Sequence, residues 1–289
     1  MLSINAHTRL CAVIGNPVEH SLSPAIHNAA FQKLGLNYVY LAFRVESLPG
    51  AVAGMRALGN LRGFSVTIPH KVSIIPLLDE VDPTARLIGS VNTIVVEQGK
   101  LTGSNTDASG ALRALKEGGA MLKGQRVLMV GSGGAARAIA FALAMEPPPI
   151  RIEGLTILGI LDDERRTLAA DVRTKTSLHV EEGPMTDEAL RETMRDSQVL
   201  IHCTPVGMHP KVTDRCVPAK FLEPHLTVMD IVYNPLDTQL LKDAKAAGCR
   251  TIRGIEMFLN QAIGQFELWT GQKAPADVMR AVLESSFSR

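Results

Sequence analysis

Apolar, β-branched runs alternate with alanine- and leucine-rich stretches along this chain, from CAVIGNPV and NAAFQKLGL through YVYLAFRV, SLPGAVAGMRAL and GFSVTIP to its end. A strand followed by a helix must return beside the previous strand, so this alternation predicts an α/β fold built mainly on parallel strands. A second beginning lies at KGQRVLMVGSGGAARAIAFALA, where a strand at Val127–Val130 meets a glycine turn and an alanine-rich helix. Strands LTILGIL, VLIHCTP and TVMDIVY follow, each after enough residues for a crossover helix. At 289 residues the chain has room for two domains, the second of about 150 residues.

Composition narrows the class further. With 46% hydrophobic and 20% charged residues and a net charge of +1, the chain reads as globular, and nucleic acid is not an expected partner. Its apolar runs are broken by Pro, Gly or charge short of a membrane span, and MLSINAHTRL holds no apolar signal core, so a cytoplasmic location is expected. Cys11, Cys203, Cys216 and Cys249 show no CxxC pairing or zinc spacing, and reduced thiols are expected. His20, His27 and His70 lack a carboxylate at ligand spacing, so no metal is expected.

Two local patterns carry chemistry. GSGGAA follows a strand and opens a helix: Gly131 permits the tight turn, Gly133 lets backbone approach a pyrophosphate, and the helix N-terminus supplies N–H donors. Ala136 takes the third glycine's place, which that pattern tolerates. A glycine turn that only packs strand on helix is the alternative. In GFSVTIPHK, Pro69 lacks the donor a ladder needs, so the strand must stop near Ile68. Thr67, His70 and Lys71 then stand at a strand's carboxyl end, where open α/β sheets bind ligands; a strand followed by a solvated basic turn is the alternative. Near the C-terminus, Ile255, Leu259, Ala262, Phe266 and Trp269 recur at helical spacing up to Gly271, and Met257 and Gln261 lie off that stripe.

GNPVEHSLSPAIHN, GFSVTIPHK, IGSVNTIV, GSNTDASG, GSGGAARA, CTPVGM, DIVYNPLDTQLL and RGIEMFLNQAIGQFELWTG, in this order and over nearly the whole chain, resemble the shikimate dehydrogenase family, including its quinate/shikimate branch. The resemblance implies a substrate-binding α/β domain of residues 1–105, completed by 255–289, and a doubly wound Rossmann-type dinucleotide domain of 106–254. It implies hydride transfer between a nicotinamide cofactor and shikimate or 3-dehydroshikimate, in a cleft between the domains. Lys71 would exchange the proton, a role that needs a tuned environment because a free lysine titrates near 10.4. Asp107 would orient its ammonium and accept a hydrogen bond from the reacting hydroxyl. Ser21 and Ser23 would hold the substrate carboxylate. Ser23 before Pro24 also reads as a helix N-cap with Pro at N1. Thr67, Asn92, Asp107 and Gln261 would bind ring hydroxyls, with Tyr233 joining them or lying in the core.

On the cofactor side the resemblance implies contacts from Gly131, Ser132, Gly133, Gly134, Ala135, Thr204, Met208, Ile231, Gly254 and Met257. Two departures stand out. Ser65 replaces an asparagine common in the family, and LGILDDERRT replaces an Asn-Arg-Thr grip on a 2′-phosphate. Asp162, directly after the strand LTILGIL, and Asp163 favour a ribose 2′-hydroxyl and hence NAD over NADP. Arg165 and Arg166 argue the other way. The span from the glycine turn to Asp162 exceeds the usual roughly 20 residues, and MEPPPIRIEG reads as an inserted loop accounting for the excess. Quinate as substrate and a catalytically silent cofactor-binding regulator are the competing functions, and a monomer or homodimer is expected.

Overall fold

The computed structural model describes residues 4–147 and 150–287, so Pro148 and Pro149 of the expected inserted loop lie outside the described residues. The chain divides into two compact units, Met1–Thr106 with Gln261–Arg289, and Asp107–Asn260.

The first unit holds β1 (Arg9–Gly15), α1 (Ser23–Lys33), β2 (Tyr38–Arg44), α2 (Leu48–Arg56), β3 (Leu61–Val66), β4 (Glu80–Val81), α3 (Pro83–Ile88), β5 (Thr93–Glu97) and β6 (Lys100–Ser104). Its sheet runs β2-β1-β3-β5-β6-β4. Helical crossovers make β1, β2 and β3 parallel, whereas β5 is antiparallel to both β3 and β6. The departure from a parallel sheet comes from a two-residue turn, Gln98–Gly99, whose φ angles of 52° and 78° match the twist of a tight hairpin. Because β2 and β3 pack on opposite sides of β1, the strand order reverses between β1 and β3. That reversal is where open sheets leave a crevice for ligands at the strands' carboxyl ends.

The second unit begins in α4 (Thr106–Glu117) and continues through β7 (Arg126–Val130), α5 (Gly134–Met145), β8 (Gly154–Gly159), α6 (Asp162–Lys175), β9 (His179–Pro184), α7 (Asp187–Asp196), β10 (Val199–His202), β11 (Thr227–Asp230), α8 (Gln239–Ala246) and β12 (Arg250–Ile252). All six strands are parallel, in the order β12-β11-β10-β7-β8-β9. Both faces are covered, so Val127, Leu128, Met129 and Val130 are all buried, as a continuous apolar run in a parallel sheet requires. Here the order reverses between β7 and β10.

Helix α9 (Gly254–Thr270) passes from one unit into the other, and α10 (Ala276–Ser286) packs on α1. The expected stripe of Ile255, Leu259, Ala262, Phe266 and Trp269 is buried along its whole length. Off the stripe, Met257 and Gln261 are buried as well. In the first unit the helix drives Phe266 and Trp269 into an aromatic cluster with Phe31, His27 and Tyr40. His27 stacks on Tyr40 with ring centroids 4.6 Å apart, and burial pushes its pKa down to about 3, so it packs as a neutral ring. Trp269 donates its Nε1–H to the Ile94 carbonyl at 2.9 Å.

That tryptophan occupies a slot left by Gly63. A Cβ on Gly63 would stand 2.2 Å from Trp269 Nε1 and 2.4 Å from the Ile94 oxygen, neither of which can move without losing their hydrogen bond. Gly63→Ala should therefore lower unfolding free energy by about 3 kcal/mol or more in urea titration. Gly54→Ala, in α2 with nothing within 4 Å of its Cβ, should instead raise it by up to about 1 kcal/mol. Equal effects would show that the slot is not rigid.

Candidate active site

Strand direction collects the expected substrate residues of the first unit at one rim of its sheet. Ser21 and Ser23 follow β1, Thr67 and Lys71 follow β3, and Asn92 precedes the antiparallel β5. The loops after β1 and β3 are fastened together: Thr67 N–H donates to Ile14 O at 2.9 Å and Asn16 N–H to Ile68 O at 2.9 Å. Both X–Pro bonds here, Asn16–Pro17 and Ile68–Pro69, are cis. The chain beyond Pro69 turns tightly, with His70 N–H on Thr67 O at 2.9 Å, and Val91 N–H donates to Lys71 O at 2.8 Å. His70 is buried with its Nε2 3.0 Å from Val45 O, so of the Thr67–Lys71 run it serves packing.

Ser23 departs from its expected local role. The N-cap of α1 is Leu22, Ser23 is the first helical residue, and no side chain caps the helix. With Pro24 at the second helical position, the helix begins one residue earlier than a Pro at N1 would place it. Ser21 Oγ accepts the Ser23 N–H at 3.3 Å, and the buried Ser23 hydroxyl lies within hydrogen-bonding reach of the Tyr40 phenol.

From Tyr40 a buried polar network crosses the unit. Ser65 Oγ donates to Gln265 Oε1 at 3.0 Å, so the 2.7 Å bond between Tyr40 and Ser65 has the phenol as donor. Gln265 Nε2 donates to Thr93 Oγ1 at 3.1 Å, and Thr93 donates to Asn92 Oδ1 at 2.8 Å. Asn92 Oδ1 also accepts the Thr106 N–H at 2.8 Å, and Asn92 Nδ2 donates to Thr106 Oγ1 at 3.1 Å. Each member gives its proton to the next, which fixes Asn92 at the rim. Sequence reasoning missed Tyr40, Gln265, Thr93 and Thr106 here. Ser65, noted as a departure, is a link in the chain.

The remaining expected substrate residues are Gln261, buried at the first position of the returning segment, Asp107, buried in the first turn of α4 directly after Thr106, and Tyr233. Tyr233 lies in the second unit against Phe258, ring centroids 4.9 Å apart, and burial raises its pKa.

In the second unit the glycine turn leaves β7 at the order reversal. Gly131 has φ 108°, a conformation closed to side chains, and its N–H donates to Leu158 O at 2.7 Å. Gly133 caps α5, and a Cβ on Gly133 or Gly134 would meet nothing within 4 Å. The turn is thus an open cradle of backbone N–H groups, from Ser132 to Ala135, at a helix N-terminus, and it fits a pyrophosphate. Ala136 is buried, which explains why the third small residue packs rather than binds. Thr204, after β10, borders this turn: its Cγ2 lies 3.0 Å from where a Gly131 Cβ would be. Met208 is exposed farther along the same loop. Gly254 abuts the carbonyls of Ile231 and Val232, where a Cβ would approach to 2.5 Å. Buried Met257 lies one helical turn on.

The acidic pair after the second strand of this unit is placed differently from expectation. β8 ends at Gly159, so Ile160 and Leu161, both exposed, separate it from Asp162. Asp162 opens α6 and pairs with Arg165 Nη1 at 2.8 Å and with Arg166 Nη2 at 3.6 Å. Arg165 is only 3% exposed and also binds Glu182 and the Gly159 carbonyl. Arg166 and Asp163 are exposed. Among the described residues no group of three His, Cys, Asp or Glu is placed to hold a metal, and no helix is long and apolar enough to cross a membrane.

Comparison with known proteins agrees over the full length. Residues 13–94 match the family model for the shikimate dehydrogenase substrate binding domain, and 254–284 that for the shikimate 5′-dehydrogenase C-terminal domain. A protein named shikimate dehydrogenase (NADP(+)) from Moorella thermoacetica is 44% identical over 293 residues, covering 99% of this chain and 96% of its own. Another of that name from Methanopyrus kandleri is 44% identical over 288 residues, 98% of each chain. The crystal structure of shikimate 5-dehydrogenase from Listeria monocytogenes, in complex with shikimate and NAD, superposes with a TM-score of 0.91 at 39% identity, covering 98% of this chain and 99% of that one. The chain belongs to the shikimate dehydrogenase family.

Proposed function

We propose that this protein transfers a hydride between a nicotinamide dinucleotide and the ring carbon that carries the hydroxyl of shikimate and the ketone of 3-dehydroshikimate. The observation that supports this reading is the first unit's rim, where Ser21 and Ser23 follow β1, Thr67 and Lys71 follow β3 and Asn92 precedes β5, beside the strand-order reversal. Such a set of hydroxyl, amide and ammonium groups matches an anionic polyol. The dinucleotide, when bound at the Gly131 turn, supplies the hydride acceptor or donor.

Every other step falls to the chain's own groups. Ser21 and Ser23 bind the carboxylate, and Thr67, Asn92 and Gln261 take ring hydroxyls. Lys71 receives the hydroxyl proton during oxidation and returns it during reduction, when negative charge builds on the carbonyl oxygen. Asp107 supplies a carboxylate that accepts a hydrogen bond from the reacting hydroxyl. Residues 1–105 with the returning helices act as the substrate domain and the intervening segment as the dinucleotide domain.

NAD is the preferred dinucleotide in this reading. After β8 the chain offers exposed Ile160 and Leu161 and then Asp162, while Arg165 is consumed by Glu182, Asp162 and the Gly159 carbonyl. NADP is the second reading, supported by exposed Arg166 and by the NADP(+) in the names of both relatives.

Three measurements test these assignments. Lys71→Ala should lower kcat by about a hundredfold or more, the range of general acid–base catalysis, with much less change in substrate affinity. A variant keeping a third of wild-type kcat would remove Lys71 from the proton step. Ser23→Ala should lower kcat/KM for shikimate about ten- to a hundredfold, as loss of a charge-assisted bond does. Because Ser23 caps nothing but its buried hydroxyl reaches the Tyr40 phenol, stability should fall by no more than about 1 kcal/mol, the worth of one hydrogen bond. A lower melting temperature with unchanged KM would make the residue structural.

Assays with both dinucleotides, against shikimate and then quinate, should give kcat/KM for NAD about tenfold or more above NADP, and shikimate above quinate. A preference for NADP that disappears in Arg166→Ala would establish the second reading. No turnover with either acid would leave a silent binder.

A further inference from the structure

The strand β10 ends in a buried histidine that the proposed reaction does not use. His202 Nδ1 lies 2.8 Å from Asp230 Oδ1, and both residues are buried. Asp230 also accepts the Val232 N–H at 2.9 Å and the Thr238 hydroxyl at 2.6 Å. A carboxylate only accepts, so Nδ1 must carry a proton. The other ring nitrogen, Nε2, is hydrogen-bonded to Thr204 Oγ1, which also accepts the Val206 N–H at 3.2 Å.

A hydroxyl has one proton and two lone pairs. If Nε2 is protonated, Thr204 Oγ1 accepts from both Nε2–H and Val206 N–H, and its own proton must point elsewhere. If Nε2 is bare, the Thr204 proton is drawn inward to it. The charge of a buried imidazole thereby sets the direction of the hydroxyl proton of Thr204, a half-buried residue whose Cγ2 methyl borders the Gly131 turn. We propose that His202 is a positioning residue that turns the Thr204 hydroxyl outward, as a donor to an acceptor oxygen of the dinucleotide bound over that turn. This rests on the cofactor reading above.

The surroundings favour the charged ring. Burial alone would lower the His202 pKa, but the hydrogen bond to Asp230 and the neighbouring Cys216 thiol outweigh it and raise it to about 10. The titratable groups facing the ring are Asp230 from β11 and the thiol of Cys216 from the loop after β10; Cys203, next in the chain, interacts with Asp230 and Cys216. β7 contributes Val130 beside it. At neutral pH the ring is an imidazolium and the Thr204 proton is free to point outward. As pH rises through about 10 the proton turns inward and the donor is lost.

A His202 substitution would strand the buried Asp230 carboxylate, so the test uses Thr204 variants, which leave that pair intact. Fluorescence titration with NADH and NADPH from pH 7 to 10.5 should show wild-type Kd rising about fivefold, the worth of one hydrogen bond, as the ring loses its proton. Thr204→Val should bind about fivefold more weakly at neutral pH and show no alkaline step. Thr204→Ser should restore both the affinity and the step. Nitrogen NMR of His202 should find both ring nitrogens protonated at neutral pH, with Nε2 titrating alongside Kd. Thr204→Val binding as wild type, an alkaline step that persists in it, or a bare Nε2 at neutral pH would overturn the inference while leaving the cofactor reading intact. Failure of the wild type to bind either dinucleotide at any pH would overturn that reading, and this inference with it.

Discussion

The first unit depends on one indole. Trp269 can reach the Ile94 carbonyl only because residue 63 lacks a side chain, and its position fixes the whole C-terminal half of α9. Once that helix is seated, Phe266 closes the aromatic cluster over α1 and Gln265 enters the polar network. Arg62 secures the helix end by donating to the Trp269 carbonyl at 2.8 Å. Without this helix the aromatic face of α1 and Tyr40 would lose its cover and Thr93 would lose the Gln265 donor that aims its hydroxyl at Asn92.

The two units solve a similar problem with different materials. Each has a strand order that reverses beside its first strand, and each places its polar groups where two loops diverge. In the first the groups are side chains with definite donors and acceptors, which suits a small ligand whose hydroxyls must be told apart. In the second they are backbone N–H groups at the Gly131 turn, which suits a pyrophosphate carrying charge but little shape. The polar residues behind each rim differ accordingly. A one-way chain of neutral hydrogen bonds supports Asn92, whereas a charged pair, His202 and Asp230, stands behind the glycine turn.

Much of this was legible in the residues. Alternating strands and helices, the break at Pro69, the glycine turn and the stripe ending at Trp269 are local patterns whose physical meaning survives in the fold. What escaped was non-local or fine-grained. Ser65 and Gln265 are 200 positions apart, and no spacing rule joins them. The β5–β6 hairpin rests on the short signal Gln98–Gly99 within an otherwise parallel pattern. Ser23 was misplaced by one residue at a helix start, where boundaries are least determined. Asp162 was displaced by two, because Ile160 and Leu161 look like strand residues and yet leave the sheet. His202 carried no signal in the strand VLIHCTP, and its partner Asp230, 28 residues away, gives it meaning.

Helix α9 also sets an order of events during synthesis. The first unit's own strands and helices are complete at Thr106, yet the segment that covers its aromatic face begins at Gln261. At ribosomal rates of roughly 5–20 residues per second, on the order of ten seconds or more separate the two. Through that interval Phe31 and Tyr40 wait uncovered while the entire second unit emerges. A segment made long after the first unit's strands therefore finishes that unit, and a nascent chain stalled before α9 presents an apolar face that a chaperone would recognise.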